Sequence, residues 1–223
     1  MIKFNNLTKS FNNKVIFDNA NFNIPLNKIT CVLANSGSGK TTLLNIIASL
    51  INYEGEIENL PNNISYVFQD YRLILNKTVS ENLKFFTNEY DDVKIQKLLE
   101  KVGLLDKQNA YINTLSGGEK QRVNILRAVL KNANLNLYDE PFTGLDLSLK
   151  YKVASIIKNE TSYNGKTSII VTHDVAVAVD LADEILFIDN GKVENYTVNK
   201  INGELSSEEK LNLITKISNR FKN

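Results

Sequence analysis

Apolar and polar residues alternate with a period near two along the first 30 residues, which is the pattern of β-strands. Pro25 then ends the run, because proline has no backbone N–H to donate to a neighbouring strand. This part of the chain is therefore predicted to form strands. Their apolar positions are Val15, Phe17, Ala20, Phe22 and Ile24.

Short apolar runs farther along the chain predict further strands. Helical stretches separate the last three runs, and an alternation of strands and helices favours a mainly parallel sheet covered on both faces. The first run leads through a glycine-rich loop into a helical stretch from Lys40 to Leu50. The runs are residues 29–33, Leu135–Tyr138, Thr167–Val171 and Glu184–Ile188.

Residues from about 70 to 132 are predicted to be mostly helical and to form a subdomain inserted into the α/β core. Gly103 is a plausible C-terminal stop for one helix, and another helix is expected to follow Ser116. One helical face in this region contains Val93, Lys97, Leu98 and Val102.

The tail from Ser206 has the pattern of a capped amphipathic helix. Ser206 and Glu209 have capping-box spacing, and Leu213, Ile217 and Phe221 lie on one helical stripe. Two readings are open at this point. The stripe could pack on the core of its own chain, or it could dock on a partner.

Composition narrows the function classes. The net charge is +1, so no bulk electrostatic field favours nucleic acid or an acidic membrane surface. Cys31 is the only cysteine and lies in an apolar run, which favours a small buried side chain over a reactive thiol. No signal peptide is recognisable at the start and no run approaches 18 apolar residues. We therefore expect a cytosolic protein whose work at a membrane, if any, needs a partner chain.

A phosphate-binding loop is predicted between the strand at 29–33 and the helix at Lys40. Residues 34–41 match the Walker A pattern G-x-x-x-x-G-K-[ST] at all positions except Ala34. Glycines let backbone N–H groups approach phosphates, and a helix N-terminus favours anions. If the first position required a positive φ, Ala34 would cost about 1 kcal/mol. The alternative is a Gly-Ser turn without a ligand, which the Lys-Thr pair at residues 40–41 disfavours.

Two further segments carry candidate chemistry. Asp139 and Glu140 end a strand, where they could hold Mg²⁺ and polarise a water molecule. The alternative is that one of them caps a helix and the other is adjacent by chance. The run Leu115-Ser116-Gly117-Gly118-Glu119-Lys120-Gln121-Arg122 has capping-box spacing at Ser116 and Glu119. Each glycine in the first turn of a helix lowers helix stability by roughly 1 kcal/mol, so a helix cap alone does not explain the two glycines. Contact between their backbone N–H groups and a phosphate explains them.

These segments, in this order, resemble the ABC ATPases over nearly all of residues 1–195. The resemblance implies an α/β P-loop NTPase core with a mainly parallel sheet, an N-terminal antiparallel β-subdomain and an inserted helical subdomain. Residues 1–223 would form one ABC ATPase domain, with the core at about 1–69 and 133–223 and the helical subdomain at about 70–132. Asn136 and Tyr138 depart from the aliphatic residues usual in the strand before Asp139.

The resemblance also assigns site residues. Glu140, His173 and Gln69 would be catalytic, and Thr41, Gln69 and Asp139 would hold Mg²⁺. Ser116, Gly117, Gly118 and Gln121 would contact the ATP of a second subunit, and Asp146 would lie in the D-loop that crosses to it. Phe11 would stack on adenine, unless it is a core phenylalanine. The other ATP contacts would be Asn35, Ser36, Gly37, Ser38, Gly39, Lys40, Thr41 and Thr42.

The same resemblance implies partners. They are a second copy or a homologous ATPase, a transmembrane permease and a solute-binding protein, with no nucleic acid, at the cytoplasmic side of the cell membrane. Residues 139–142, 171–175 and 178–184 resemble the nitrate/sulfonate/taurine-type importers. A lipoprotein-releasing or other export complex, and a soluble ABC ATPase without a channel, are the alternatives. Residues 71–79 could contact the permease or belong to the core.

Overall fold

Two β-sheets and seven helices make up the described part of the chain. The computed structural model describes residues 1–12, 14–35, 37–85, 92–198, 200 and 205–220. Within these ranges, no helix combines the length and apolar character needed to cross a bilayer. The predicted fold class is confirmed, since a mostly parallel sheet and an antiparallel sheet are combined with helices.

The smaller sheet is antiparallel and lies near the N-terminus. Its strands are β1 (Ile2–Phe11), β2 (Lys14–Ile24) and β4 (Glu54–Glu58), in the order β2-β1-β4. The predicted alternation in β2 holds from Phe17 to Ile24 but is wrong at Val15, which is 53% exposed. The register of β2 against β1 shifts between the Lys9–Phe17 pair and the Ser10–Val15 pair. Ile16 lies at this shift and is buried beside Phe17 in place of Val15.

The larger sheet contains the predicted buried strands. Its order is β5-β6-β7-β3-β8-β9, in which only β9 runs antiparallel to its neighbour among the described strands. The strands are β3 (Ile29–Ala34), β5 (Ile64–Val67), β6 (Leu135–Asp139), β7 (Thr167–Val171), β8 (Glu184–Asp189) and β9 (Lys192–Thr197).

Helices cover this sheet. Short 3₁₀ turns at Leu105–Lys107 and Ile112–Thr114 join the helices of the middle region. The helices are α1 (Lys40–Ile47), α2 (Val79–Lys84), α3 (Asp92–Lys101), α4 (Gly117–Leu130), α5 (Leu147–Asn164), α6 (Val175–Leu181) and α7 (Ser207–Arg220).

Helix α1 ends at Ile47, earlier than the predicted Leu50. Ser49 adopts a left-handed conformation (φ 56°), and the Leu50 N–H donates to the Asn45 carbonyl at 2.8 Å. These are the features of a Schellman C-terminal motif, which usually uses glycine. Because serine occupies the left-handed position, the sequence contains no strong stop signal there.

The predicted face of α3 is wrong at its N-terminal end. Val93 is 60% exposed, whereas Ile95, Leu98 and Leu99 are buried. The predicted stop at Gly103 is confirmed, because Gly103 is left-handed (φ 67°) and the Leu104 N–H donates to the Leu99 carbonyl at 2.8 Å.

The tail helix packs on the core of its own chain. The capping box is present, since the Ser206 N–H donates to Glu209 at 2.8 Å and the Glu209 N–H donates to Ser206 Oγ at 3.2 Å. Leu213 and Ile217 belong to the apolar cluster beneath α5 and α6. Phe221, predicted on the same stripe, lies outside the described residues.

Strand β6 contains the two unusual residues, and both are buried. Asn136 is 2% exposed and Tyr138 fully buried, and the Asn136 Oδ1 and the Tyr138 hydroxyl have no hydrogen-bond partner in the described part of the chain. Burial raises the pKa of the Tyr138 hydroxyl. Cys31 is buried as predicted, and burial raises the pKa of its thiol to about 12.

We expect Tyr138→Phe to raise the free energy of unfolding by about 1 kcal/mol, because a buried hydroxyl without a partner costs 1–3 kcal/mol of lost hydration. The matched control is Tyr66→Phe, which removes a hydroxyl that donates to Asn45 Oδ1 at 3.1 Å. This control should lower the stability by about 1 kcal/mol. Urea titrations measure both, and a loss of stability in Tyr138→Phe would contradict the assignment.

Candidate functional site

The phosphate-binding loop joins the C-terminal end of β3 to the N-terminus of α1. Gly37 and Gly39 are left-handed (φ 74° and 103°). A Cβ on Gly39 would lie 2.4 Å from Ile16 Cγ2, so this position requires glycine for both space and conformation. Ala34 is the last residue of β3 and is not among the residues with positive φ. The missing first glycine therefore introduces no backbone strain.

The loop holds the Lys40 side chain against its own backbone. Lys40 Nζ donates to the Ala34 carbonyl at 2.8 Å and to the Asn35 carbonyl at 3.0 Å. Burial lowers the pKa of Lys40, while Glu140 and Asp139 act in the opposite direction. The Ser38 hydroxyl also donates to the Asn35 carbonyl at 2.7 Å. Ser36 lies outside the described residues.

The acidic pair lies at the C-terminal end of β6, at the same edge of the sheet, with Asp139 as the last residue of the strand and Glu140 after it. The Thr41 hydroxyl donates to Asp139 Oδ2 at 2.8 Å, which joins the start of α1 to the end of β6. Burial is the main cause of a raised pKa for Asp139, and the hydrogen bond from Thr41 partly offsets it. Glu140 has a positive φ of 51°, which is uncommon for a residue other than glycine.

His173 lies beside Glu140. Its Nδ1 is 2.8 Å from Glu140 Oε2, and its backbone N–H donates to the same oxygen at 3.4 Å. The two side chains differ in exposure, at 73% for His173 and 15% for Glu140. The pair thus presents a largely buried carboxylate whose orientation is fixed by a solvent-facing imidazole.

Eight of the predicted site residues surround one cavity of about 300 Å³ at this edge of the sheet. Ile16 and Val171 complete the lining of the cavity, and neither was predicted from the sequence as a site residue. For Ile16 the available signal, the alternation in β2, is interrupted by the register shift between Phe17 and Val15. The predicted residues that line the cavity are Gly37, Gly39, Lys40, Thr41, Thr42, Gln69, Asp139 and Glu140.

The remaining predicted residues that the structure describes do not line this cavity. Phe11 is 44% exposed and has Lys9 Nζ 4.8 Å from its ring centroid. His173 lines an adjoining cavity of about 140 Å³ that also reaches Glu140 and Gly144. Asp146 caps α5, since its Oδ1 accepts the Leu149 N–H at 3.0 Å.

The glycine pair lies in the first turn of α4, with Ser116 as its cap. Ser116 Oγ accepts the Glu119 N–H at 3.3 Å, and Glu119 Oε2 accepts the Ser116 N–H at 2.9 Å. Lys107 donates to the other carboxylate oxygen of Glu119. This bond, followed by the bond from the Ser116 N–H, lowers the pKa of Glu119 to about 2.

Gln121 occupies a different position from the one expected. It is 2% exposed, and its Nε2 donates to the carbonyl of Glu140 in the same chain at 3.4 Å. A side chain buried in this way is not available to a nucleotide on another subunit. It connects α4 to the end of β6 instead.

The chain matches the family model described as ABC transporter over residues 17–143. The aliphatic sulfonates import ATP-binding protein SsuB 1 of Paracoccus denitrificans is 38% identical, over 84% of this chain and 78% of the relative. The arginine transport ATP-binding protein ArtM of Bacillus subtilis is 35% identical, over 86% of this chain and 89% of the relative.

Solved structures agree with these matches. A dimeric bacterial ABC transporter cassette superposes with a TM-score of 0.78 at 29% identity, covering 90% of this chain and 100% of the cassette. A post-hydrolysis dimer of the same cassette with ADP and Pi gives a TM-score of 0.77 at 30% identity, with the same coverage.

We expect Glu119→Gln to lower the free energy of unfolding by about 1 kcal/mol at pH 7. Glutamine can still close the capping box, but it loses the ion pair with Lys107 and the favourable negative charge at the helix N-terminus. The folded pKa of Glu119 is depressed, so its contribution is complete above the unfolded value of 4.5. That contribution is lost as the pH falls toward about 2. Urea titrations at pH 7, 5 and 3.5 should therefore show a shrinking difference between variant and parent.

Glu209→Gln is the matched control. Glu209 closes the exposed capping box of α7, and no lysine contributes to the shift of its pKa, whereas Lys107 contributes to that of Glu119. It should have the smaller effect at pH 7. A difference for Glu119→Gln that stayed constant down to pH 3.5 would contradict the assigned pKa.

Proposed function

We propose that this chain, which belongs to the ABC transporter family of ATP-binding proteins, binds and hydrolyses ATP to drive a solute importer of the nitrate/sulfonate/taurine type. The observation that supports this most directly is the arrangement of Lys40, Thr41, Gln69, Asp139 and Glu140 around one cavity. A lysine, a hydroxyl and two carboxylates at the end of a parallel sheet are the groups that phosphoryl transfer requires.

Nucleotide binding is assigned to the loop and the start of α1. Gly37 and Gly39 allow the backbone to approach the phosphates, and Lys40 exchanges its carbonyl partners for the β- and γ-phosphates. Thr42 would reach the α-phosphate. Asn35, Ser36 and Ser38 would contact the phosphates through their backbone groups, and Phe11 would stack on adenine from its exposed position.

The donor set near Asp139 fits Mg²⁺. The Thr41 hydroxyl and the Asp139 carboxylate are already 2.8 Å apart, and Gln69 lines the same cavity. Neutral and anionic oxygens are the ligands that Mg²⁺ prefers. When bound, Mg²⁺ neutralises charge on the phosphates. Thr41 and Asp139 would hold it, directly or through water, and Gln69 would complete the set.

Glu140 is proposed as the group that accepts a proton from the attacking water. Its carboxylate is largely buried at the cavity wall and accepts hydrogen bonds from the backbone and ring of His173. These bonds fix the direction of the lone pairs, so that the base is positioned before the reaction. The exposed edge of His173 is left to contact the γ-phosphate.

A second nucleotide-binding subunit would complete the site. The first turn of α4 presents the backbone of Gly117 and Gly118, and a helix N-terminus suits a phosphate. Ser116 and the exposed Asp146 would lie at the same interface. The dimeric form of the similar cassette supports this arrangement. Gln121, which is buried, is not part of the proposed contact.

The proposed membrane partners are inferred from the transport functions in the names of the relatives. The similar proteins are named as import subunits for aliphatic sulfonates and as a transport subunit for arginine. We propose a transmembrane permease as the partner of this chain, contacted through residues 71–79, and a solute-binding protein in the full complex. The chain would sit peripherally on the cytoplasmic side of the membrane, with its helical subdomain at about 70–132.

Glu140→Gln should lower ATP hydrolysis by roughly 10²–10⁴, the range for a positioned general base, without weakening ATP binding. Because unhydrolysed ATP keeps both halves of a shared site engaged, this variant should also sediment as a dimer when ATP is present. A phosphate-release assay and analytical ultracentrifugation measure the two effects.

Ser116→Arg provides the matched test of the shared site. Added to Glu140→Gln, it should abolish the ATP-dependent dimer and leave ATP binding by the monomer intact. Full turnover in Glu140→Gln would refute the role of Glu140. A dimer that survives Ser116→Arg would refute the shared site.

Affinity purification of the tagged chain from its native membranes, with mass spectrometry of its partners, tests the transport role. A polytopic permease together with a solute-binding protein is the expected result. A partner with a large extracytoplasmic domain would favour an export complex. The absence of a membrane partner would favour a soluble ABC ATPase.

A further inference from the structure

Two side chains of α4 hold the backbone around Gln69. Asn124 Nδ2 donates to the Phe68 carbonyl at 3.2 Å. The Arg127 guanidinium donates to the carbonyls of Arg72 at 2.6 Å and Tyr71 at 3.2 Å. Arg127 also donates to Asn124 Oδ1 at 2.9 Å, so the two side chains act as one unit. We call Asn124 and Arg127 the α4 clamp.

The Gln69 side chain depends on this support. Residues 68–74 contain no helix or strand, and Gln69 itself makes no hydrogen bond in the described part of the chain. Its position at the cavity is therefore set by the backbone on either side. The α4 clamp holds that backbone both immediately before Gln69 and two to three residues after it.

The α4 clamp is built to be stiff. Asn124 is 1% exposed, and burial lowers the pKa of Arg127. Hydrogen bonds from a charged donor are stronger than neutral ones, and more so away from water. The Arg72 guanidinium stacks on the Phe68 ring at 3.5 Å, which adds a further restraint to the same segment.

We propose that Asn124 and Arg127 are positioning residues that place Gln69 for catalysis and tie its position to the phosphate-binding end of α4. This inference rests on the proposed function. Ser116 caps the helix that carries the α4 clamp, and Asn124 follows about 12 Å along its axis at 1.5 Å per residue. A rigid helix moves as one body, so a shift at the glycine pair displaces the backbone around Gln69.

Arg127→Met tests the proposal, because methionine keeps a long apolar stem and removes every donor. We expect kcat to fall at least about tenfold, the KM for ATP to change less than about twofold, and half-maximal activity to require more Mg²⁺. The KM is spared because Lys40 and the glycine loop are untouched. Arg127→Lys, which retains a charged donor group but not the planar fork of the guanidinium, should recover part of the kcat.

Lys131→Met is the matched control. Lys131 follows α4 and donates to the Ile64 carbonyl at 2.6 Å, so it also links α4 to a backbone carbonyl, but one in β5. This variant should keep the parent kcat and Mg²⁺ dependence. An equal loss of kcat in Lys131→Met would overturn the proposal, since the effect would then be a general weakening of the contacts of α4.

Hydrogen–deuterium exchange gives a readout independent of activity. The peptide covering residues 68–74 should exchange faster in Arg127→Met and at the parent rate in Lys131→Met. Asn124→Asp removes the donor to Phe68 and keeps an acceptor for Arg127, so it carries the same test if Arg127→Met does not fold. Unchanged exchange in a folded α4 clamp variant would overturn the proposal.

A double-mutant cycle with Gln69→Ala separates this inference from the proposed function. If the α4 clamp acts through Gln69, Arg127→Met should add no further loss of kcat in the Gln69→Ala background. Additive losses would overturn the positioning role. A parent protein that hydrolyses no ATP would instead refute the proposed function, while the exchange experiment would still test the α4 clamp.

Discussion

The parallel pairing of β6, β7 and β3 is the constraint on which the site depends. Val171 in β7 pairs with Asp139 in β6 on one side and with Val32 in β3 on the other. The C-terminal ends of the three strands therefore lie at one edge of the sheet. The loop after β3 and the acidic pair at the end of β6 must then lie together, although about a hundred residues separate them in sequence. The Thr41–Asp139 hydrogen bond across this edge is the direct result.

Much of the core was predictable because buried parallel strands leave a strong signal. Strand β7 has the predicted ends, and β6 and β8 differ from prediction by one residue each. Two of the failures come from backbone geometry that the residue types do not signal. A register shift between Phe17 and Val15 displaces the pattern of β2, and left-handed Ser49 ends α1 early.

The residues of the site also divide into those that the sequence predicts and those that it does not. Eight residues predicted from short motifs line the cavity, because a motif fixes both chemistry and local geometry. The buried position of Gln121, the reach of Ile16 into the cavity and the contacts of Asn124 and Arg127 all depend on packing between distant segments. No local pattern encodes such contacts, so they required the three-dimensional structure.

The ion pair between Lys107 and Glu119 has a consequence for anion recognition. Glu119 stabilises the first turn of α4, yet it places a carboxylate at the end of the helix that would receive a phosphate. Lys107, which lies outside the motif, neutralises that carboxylate. If the glycine pair binds a phosphate as proposed, its attraction for that anion would be set in part by a remote 3₁₀ turn, and a substitution at position 107 would change it while leaving every motif residue unchanged.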